Sequence, residues 1–394
     1  MSFSLAGQGL KLNTREDIEP YIKSIDPTTL EEIHLGGNTI GVEAAQALAE
    51  VLHKAEKIRI ADFADIFTGR LISEIPQALS ALCDSLIDKT HLVEIDLSDN
   101  AFGGRSVDPI VPFLTQNRVF QVLKLNNNGL GPAGGEVIAN ALRASAELSR
   151  KEGKRSSLRT VICGRNRLEN GSASAWAAAF EAHGTLEEVR MPQNGIRMEG
   201  ITALASGLAS NTGLRYLDLQ DNTFSQDGDG AFAKALPSWP TLHTLNFSDC
   251  VLSEEGEVPQ TIATLAKGSN PLLRDLQLQN NNLDTKTAEV LAEAIGTYLK
   301  DIVRMELQWN EFEEEDEFVQ TLIDNLTARG GKFLIDDEDE EEEEKEAEDE
   351  EDEEAVAEAE SNGPAAVTDA SKSADDKAAD DLADLLGKVS ITQS

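Results

Sequence analysis

The chain has 394 residues, 40% of them hydrophobic, and a formal net charge of -38. That length can bury a large core. With no apolar run of about 18 residues and no N-terminal signal pattern, the expectation is a soluble, unprocessed protein without a membrane span. The acidity argues against nucleic acid as a partner, since each phosphate must be met by Lys or Arg, and favours a basic protein surface instead.

In chain order the first regularity is a spacing: apolar, any, apolar, two of any, asparagine, any, apolar. It is plainest at Leu123, Leu125, Asn128 and Leu130, where it spells a short strand and a turn, the core of a leucine-rich repeat. Eleven copies can be aligned, with the asparagine slot at Gln8, Asn38, Phe63, Asn100, Asn128, Asn166, Asn194, Asn222, Cys250, Asn281 and Asn310. A helix fits between slots, as from Ala133 to Arg143, where Val137, Ile138, Ala141 and Leu142 share one face. No unit buries its apolar side alone, so the copies must stack. The fold class expected is α/β: a leucine-rich repeat solenoid, a crescent of about eleven strand-helix repeats with a parallel sheet on its concave face.

The stretch 129–134 also reads G-x-G-x-x-G after a strand and before a helix, the context of a dinucleotide fingerprint. Small residues recur in the last glycine's place of other copies, as Ala44, Ser106, Ser172 and Gly200, so this is repeat punctuation and not a nucleotide site. Two slot spacings are long, 37 residues from Phe63 to Asn100 and 38 from Asn128 to Asn166. The second holds Arg143, Arg150, Lys151, Lys154, Arg155 and Arg159, which read either as a solvated helix extension or as a contact loop beside Asn127. One residue before each slot lies a row that the core does not need: Asp99, Asn127, Arg165, Gln193, Asp221, Asp249, Asn280 and Trp309. Arg165 and Arg167 flank Asn166 and should point outward together, a pair suited to carboxylate or anion recognition.

Residues 1–334 are expected to form the repeat domain and 335–394 an acidic tail. Residues 336–394 hold 25 acids and 4 bases, and like-charge repulsion should keep them largely disordered. Within that tail Leu382, Leu385, Val389 and Ile391 have a spacing that resembles a nuclear export signal. Cys83, Cys163 and Cys250 lack metal spacing and read as reduced core residues. No phosphate loop, H-E-x-x-H or G-x-S-x-G occurs, and the five histidines are too scattered for a metal site or triad, so each is assigned to the surface. A self-contained enzyme is not expected. The residues suit a protein that binds another protein or completes its active site.

Five segments carry a resemblance: DIFTGR at 65–70, LSDNAFG at 97–103, NNGLGP at 127–132, CGRNRLENGS at 163–172 and LQDNTF at 219–224. With the repeats and the acidic tail, the chain resembles the Ran GTPase-activating proteins in their fungal form. The resemblance implies a cytoplasmic monomer, not itself an enzyme, that serves nucleocytoplasmic transport. Its partner would be Ran-GTP, with room for a Ran-binding protein in the complex. Ran would supply GTP, magnesium and a switch glutamine, so the chain would need no cofactor or metal of its own. Asn127 matches an asparagine that holds that glutamine in trans, without an arginine finger. Arg70, Arg165 and Arg167 match interface arginines, and Asp99, Gln193 and Asp221 of the row would join them in binding the partner. Where family members can carry a lysine, this sequence has Ile72. The alternative is a ribonuclease-inhibitor-like scaffold of the same architecture that binds partners and accelerates nothing.

Overall fold

Strands of the main sheet are three residues long, and along its middle run only the central side chain of each is needed inside. Ile33, Ala61, Ile95, Leu123, Val161, Val189, Leu217, Leu245, Leu276 and Met305 are fully buried, and their neighbours on each strand point the other way. The structure, a computed structural model, describes residues 1–313 and 315–335. The acidic stretch 336–394, with Leu382, Leu385, Val389 and Ile391, lies outside the described residues.

Among the described residues twelve strands form one parallel sheet in strict sequence order, from Ser2–Ser4 at one edge to Lys332–Leu334 at the other. A second, two-stranded sheet pairs Lys11–Leu12 with Thr39–Ile40. Helices alternate with the strands and pack on one another in order, as Gly131–Lys151 on Glu169–His183 and that on Met198–Leu208. This is the leucine-rich repeat solenoid. The last strand, Lys332–Leu334, is one more than the eleven aligned copies, because no asparagine slot within the described residues follows it.

The asparagine slots form a buried ladder. Asn128 Nδ2 donates to the carbonyls of Leu97 at 2.9 Å and Leu125 at 3.1 Å, while its Oδ1 accepts the Asn100 amide at 3.0 Å. Asn128's own amide donates to Asn166 Oδ1 at 2.9 Å, and Asn166's amide to Asn194 Oδ1 at 2.9 Å. Each rung thus satisfies turn groups of two repeats, groups that burial would otherwise leave unpaired. Cys250 replaces the amide with a thiol donating to the Leu219 carbonyl at 3.3 Å and the Ser248 carbonyl at 3.2 Å. All three cysteines are buried and unpaired, and burial pushes the Cys163 thiol up to about 12.

One slot moves. Phe63 donates its amide to Asp96 as Leu97 does to Lys124, so it fills a core position after the strand Ile60–Asp62 and not the asparagine slot. That slot is Ile66, whose amide donates to Asn100 Oδ1 at 2.8 Å. Its row neighbour is therefore Asp65.

The glycine motif serves packing. A Cβ on Gly134 would come within 2.8 Å of Gly104 Cα, and one on Gly104 within 2.4 Å of the Leu130 carbonyl oxygen. Neighbouring repeats touch backbone to backbone there, which only the smallest side chains permit.

One open reading is resolved, in favour of the helix extension, and one expectation is corrected. The basic segment continues the helix Gly131–Lys151 and then returns to the strand Thr160–Ile162. It therefore lies at the rim where strands begin, whereas Asn127 lies where they end. The surface assignment fails for His183, which is 7% exposed, sits 2.6 Å from Ser156 Oγ, and is lowered by burial to about 4.

Candidate partner-binding face

Each strand ends in a turn whose third residue points out of the sheet's rim, immediately before the buried ladder residue. These row residues share one backbone conformation: φ is +45° at Asp65, +60° at Asp99, +53° at Asn127, +56° at Arg165, +53° at Gln193 and Asp221, +55° at Asp249, +50° at Asn280 and +58° at Trp309. Left-handed backbone is unremarkable for Asn and Asp but costs a residue such as Arg or Trp about 1–2 kcal/mol. The turn over-determines it through a regular inter-repeat bond. Asp99, Asn127, Arg165 and Gln193 donate their amides to Asn126, Gly164, Pro192 and Gln220 of the next repeat, at 2.9, 3.0, 2.9 and 2.8 Å.

The consequence is a strict alternation. Asp99, Asn127, Arg165, Gln193 and Asp221 are exposed, and the asparagines that follow them are buried. Adjacent strands set these side chains roughly 4.8 Å apart along the rim. Asn127 Nδ2 donates to Asp99 Oδ1 at 3.0 Å, which fixes the carboxamide and leaves its Oδ1 with no partner among the described residues. Arg165 follows on the next strand, and Arg167, with φ +53°, is exposed on the far side of buried Asn166. Further along, burial and then neighbouring Asp249 push the Asp221 carboxyl up. Asn127, Asp99, Arg165, Arg167, Gln193 and Asp221 are thus brought onto one rim.

Arg70 is placed differently. Its Nη1 donates to Asn13 Oδ1 at 2.8 Å and its Nη2 to the carbonyls of Thr39 at 2.8 Å and Leu12 at 3.3 Å. The guanidinium therefore ties the Asp65–Arg70 loop to the two-stranded sheet. What that loop presents outward is Leu71, 67% exposed, and Ile72, 62% exposed. Sequence reading named Ile72 only for its place where family members can carry a lysine and Asp65 only as part of DIFTGR; it missed that Leu71 and Ile72 are exposed together and that Asp65 belongs to the row. The apolar pair was visible as Leu-Ile directly after an arginine in a long spacing, but its exposure depends on contacts 31 to 58 residues away.

The open face of the sheet beside this rim is acidic. Glu32, Asp62, Glu94, Asp96, Glu188, Asp218, Asp275 and Glu306 outnumber Lys124, Arg190, Arg304 and Lys332 at its outward strand positions. Lys124 pairs with Glu94 at 2.6 Å, and Arg190 pairs with Glu188 at 2.5 Å while lying 4.0 Å over the Tyr216 ring. Burial pushes the carboxyls of Asp96 and Asp218 up. Such a face suits a partner carrying Lys and Arg. Among the described residues no group of His, Cys, Asp and Glu has the arrangement of a metal centre, and no helix is long and apolar enough to cross a membrane.

The parallel sheet, one helix per strand and the asparagine ladder define a leucine-rich repeat protein, and a family model described as leucine rich repeat matches residues 26–49, 88–111 and 116–139. Curated relatives narrow the class. Ran GTPase-activating protein 1 of Xenopus laevis is 48% identical over 197 residues, 49% of this chain and 34% of its own length. Ran GTPase-activating protein 1 of Saccharomyces cerevisiae is 39% identical over 224 residues, 55% of each chain. The ribonuclease inhibitor of Sus scrofa is 28% identical over 134 residues, 34% of this chain and 27% of its own. The chain is thus a leucine-rich repeat homologue of the Ran GTPase-activating proteins, and it spans about half or less of the length of these curated relatives.

Proposed function

We propose that this chain accelerates GTP hydrolysis by Ran, with Asn127 acting in trans on Ran's switch glutamine. The observation that carries the reading is the state of Asn127: exposed, held in left-handed backbone, and clamped through Nδ2 to Asp99, with its Oδ1 left without a partner among the described residues. That oxygen can accept a hydrogen bond from a glutamine amide. A glutamine held in this way loses less entropy on reaching the transition state, so the chain contributes positioning. GTP and magnesium belong to Ran in this scheme, and no arginine of the chain enters Ran's active site.

Arg165 and Arg167 meet carboxylates of the partner beside Asn127, and Gln193 and Asp221 extend the contact along the rim. Arg70 acts at one remove, by holding the loop that presents Leu71 and Ile72. Acting as a monomer in the cytoplasm, the chain would discharge Ran-GTP complexes leaving the nuclear pore. Similarity to the ribonuclease inhibitor favours the rival reading of a scaffold that binds without accelerating. Single-turnover hydrolysis on Ran-GTP, with and without the chain, separates them. The proposal expects stimulation by several decades. Binding with an unchanged rate would leave the scaffold.

A further inference from the structure

The basic segment singled out in the sequence has no part in the proposed face, because it lies on the opposite rim. There it helps to line a cavity of about 380 Å³, formed where the loops that enter three successive strands come together. Lys89, Arg118, Lys154 and Arg155 line it together with one acid, Asp88, and a second acid, Glu152, pairs with two of these bases. This surplus of positive charge stands out in a chain of net charge -38.

Three of the four bases are held by hydrogen bonds. Lys89 is 3% exposed, and its ammonium donates to the His53 carbonyl at 2.9 Å and pairs with Asp88 at 3.1 Å. Glu152 accepts from Arg118 Nη2 at 2.6 Å and from Lys154 Nζ at 2.9 Å, one oxygen to each. Arg118 Nη1 is buried and has no hydrogen-bond partner among the described residues. An unpaired buried donor is costly, and a charged one more so, which makes it informative about what the site binds.

We propose that this cavity is a binding site for a phosphate group, either free or carried on a small ester. Glu152 takes one N–H of Arg118, through Nη2 alone. The donors left over are Arg118 Nη1, the N–H groups of Lys154 that Glu152 does not take, the guanidinium of Arg155 and the hydroxyl of Ser157, and these belong to two separate loops. Donors approaching from several directions match a tetrahedral oxyanion with three or four acceptor oxygens better than a flat carboxylate with two. The site is independent of the Ran reading, since none of its residues lies on the strand-exit rim.

Calorimetric titration of the full chain tests it, with inorganic phosphate, pyrophosphate, glycerol 3-phosphate and malonate at matched ionic strength. Saturable binding of the phosphate probes is expected, with malonate weaker by about tenfold. Glycerol 3-phosphate binding at least as tightly as phosphate would assign an esterified source, and phosphate binding alone a free one. Arg118→Gln should abolish binding. Because that change also breaks the Glu152 pair, the exposed variants Lys154→Gln and Arg155→Gln serve as a second arm, each expected to weaken binding about tenfold. All three should retain wild-type stimulation of Ran. No saturable binding to the wild type, equal binding in the Lys154 and Arg155 variants, or malonate as tight as pyrophosphate would each overturn the proposal.

Discussion

Two tracks run side by side along the sheet's rim, one residue apart, and they use similar chemistry to opposite ends. Asn128 and Asn127 differ by one step in sequence, yet Asn128 is fully buried with three bonds from its side chain to turn backbone, while Asn127 is exposed with one bond to a side chain. What separates them is the turn. The left-handed residue swings its side chain outward, and the next residue's side chain goes beneath the turn to join two repeats. An asparagine in this protein is therefore read by its register against the strand and not by its identity.

Changes that confuse the tracks should be the most damaging. Asn128→Ala leaves the Leu97 and Leu125 carbonyls and the Asn100 amide without their partner, so stability should fall by about 2–4 kcal/mol in chemical denaturation. Stimulation of Ran by the molecules that remain folded should persist. A mutant as stable as wild type would mean that the ladder is not what joins the repeats.

The mirror change comes next. Asn127→Ala should lower the single-turnover rate by about 100-fold and leave the melting temperature unchanged. A smaller effect, about tenfold in rate, is expected for Asp99→Ala, which removes the Nδ2 clamp and lets the carboxamide rotate. If Asp99 only contacts the partner, the loss would appear in affinity and vanish at saturation. Arg70→Ala should have the smallest effect on chemistry. It frees the loop that carries Leu71 and Ile72, so the concentration giving half-maximal stimulation should rise while the saturating rate stays near wild type. A saturating rate that collapsed would instead place Arg70 in the reaction itself.

Repetition made most of this legible in advance. The ladder could be read because asparagine recurs at a fixed offset from paired apolar residues, and the row because its members sit in the one place the core leaves unused. Where a copy loses its asparagine, the alignment slips. In the third copy Ile58 and Ile60 imitate the apolar pair, so Phe63 takes the slot that belongs to Ile66. The left-handed backbone was hidden for a different reason, since Arg165, Gln193 and Trp309 are residues that local preference keeps out of that region. Nor could the sequence show that Arg70 reaches 57 residues back to Asn13, that His183 is buried under Ser156, or that the basic segment runs to the far rim. Each of these depends on which repeats stack, and a single repeat carries no trace of it.

The most direct test takes Asn127→Ala and Asn128→Ala together, measuring the rate of Ran-GTP hydrolysis at saturating chain and the melting temperature of each protein in the same buffer. If the two tracks are distinct, Asn127→Ala loses the rate and keeps the melting temperature, and Asn128→Ala does the reverse. A wild-type saturating rate for Asn127→Ala would contradict the assignment of the exposed track to positioning Ran's glutamine.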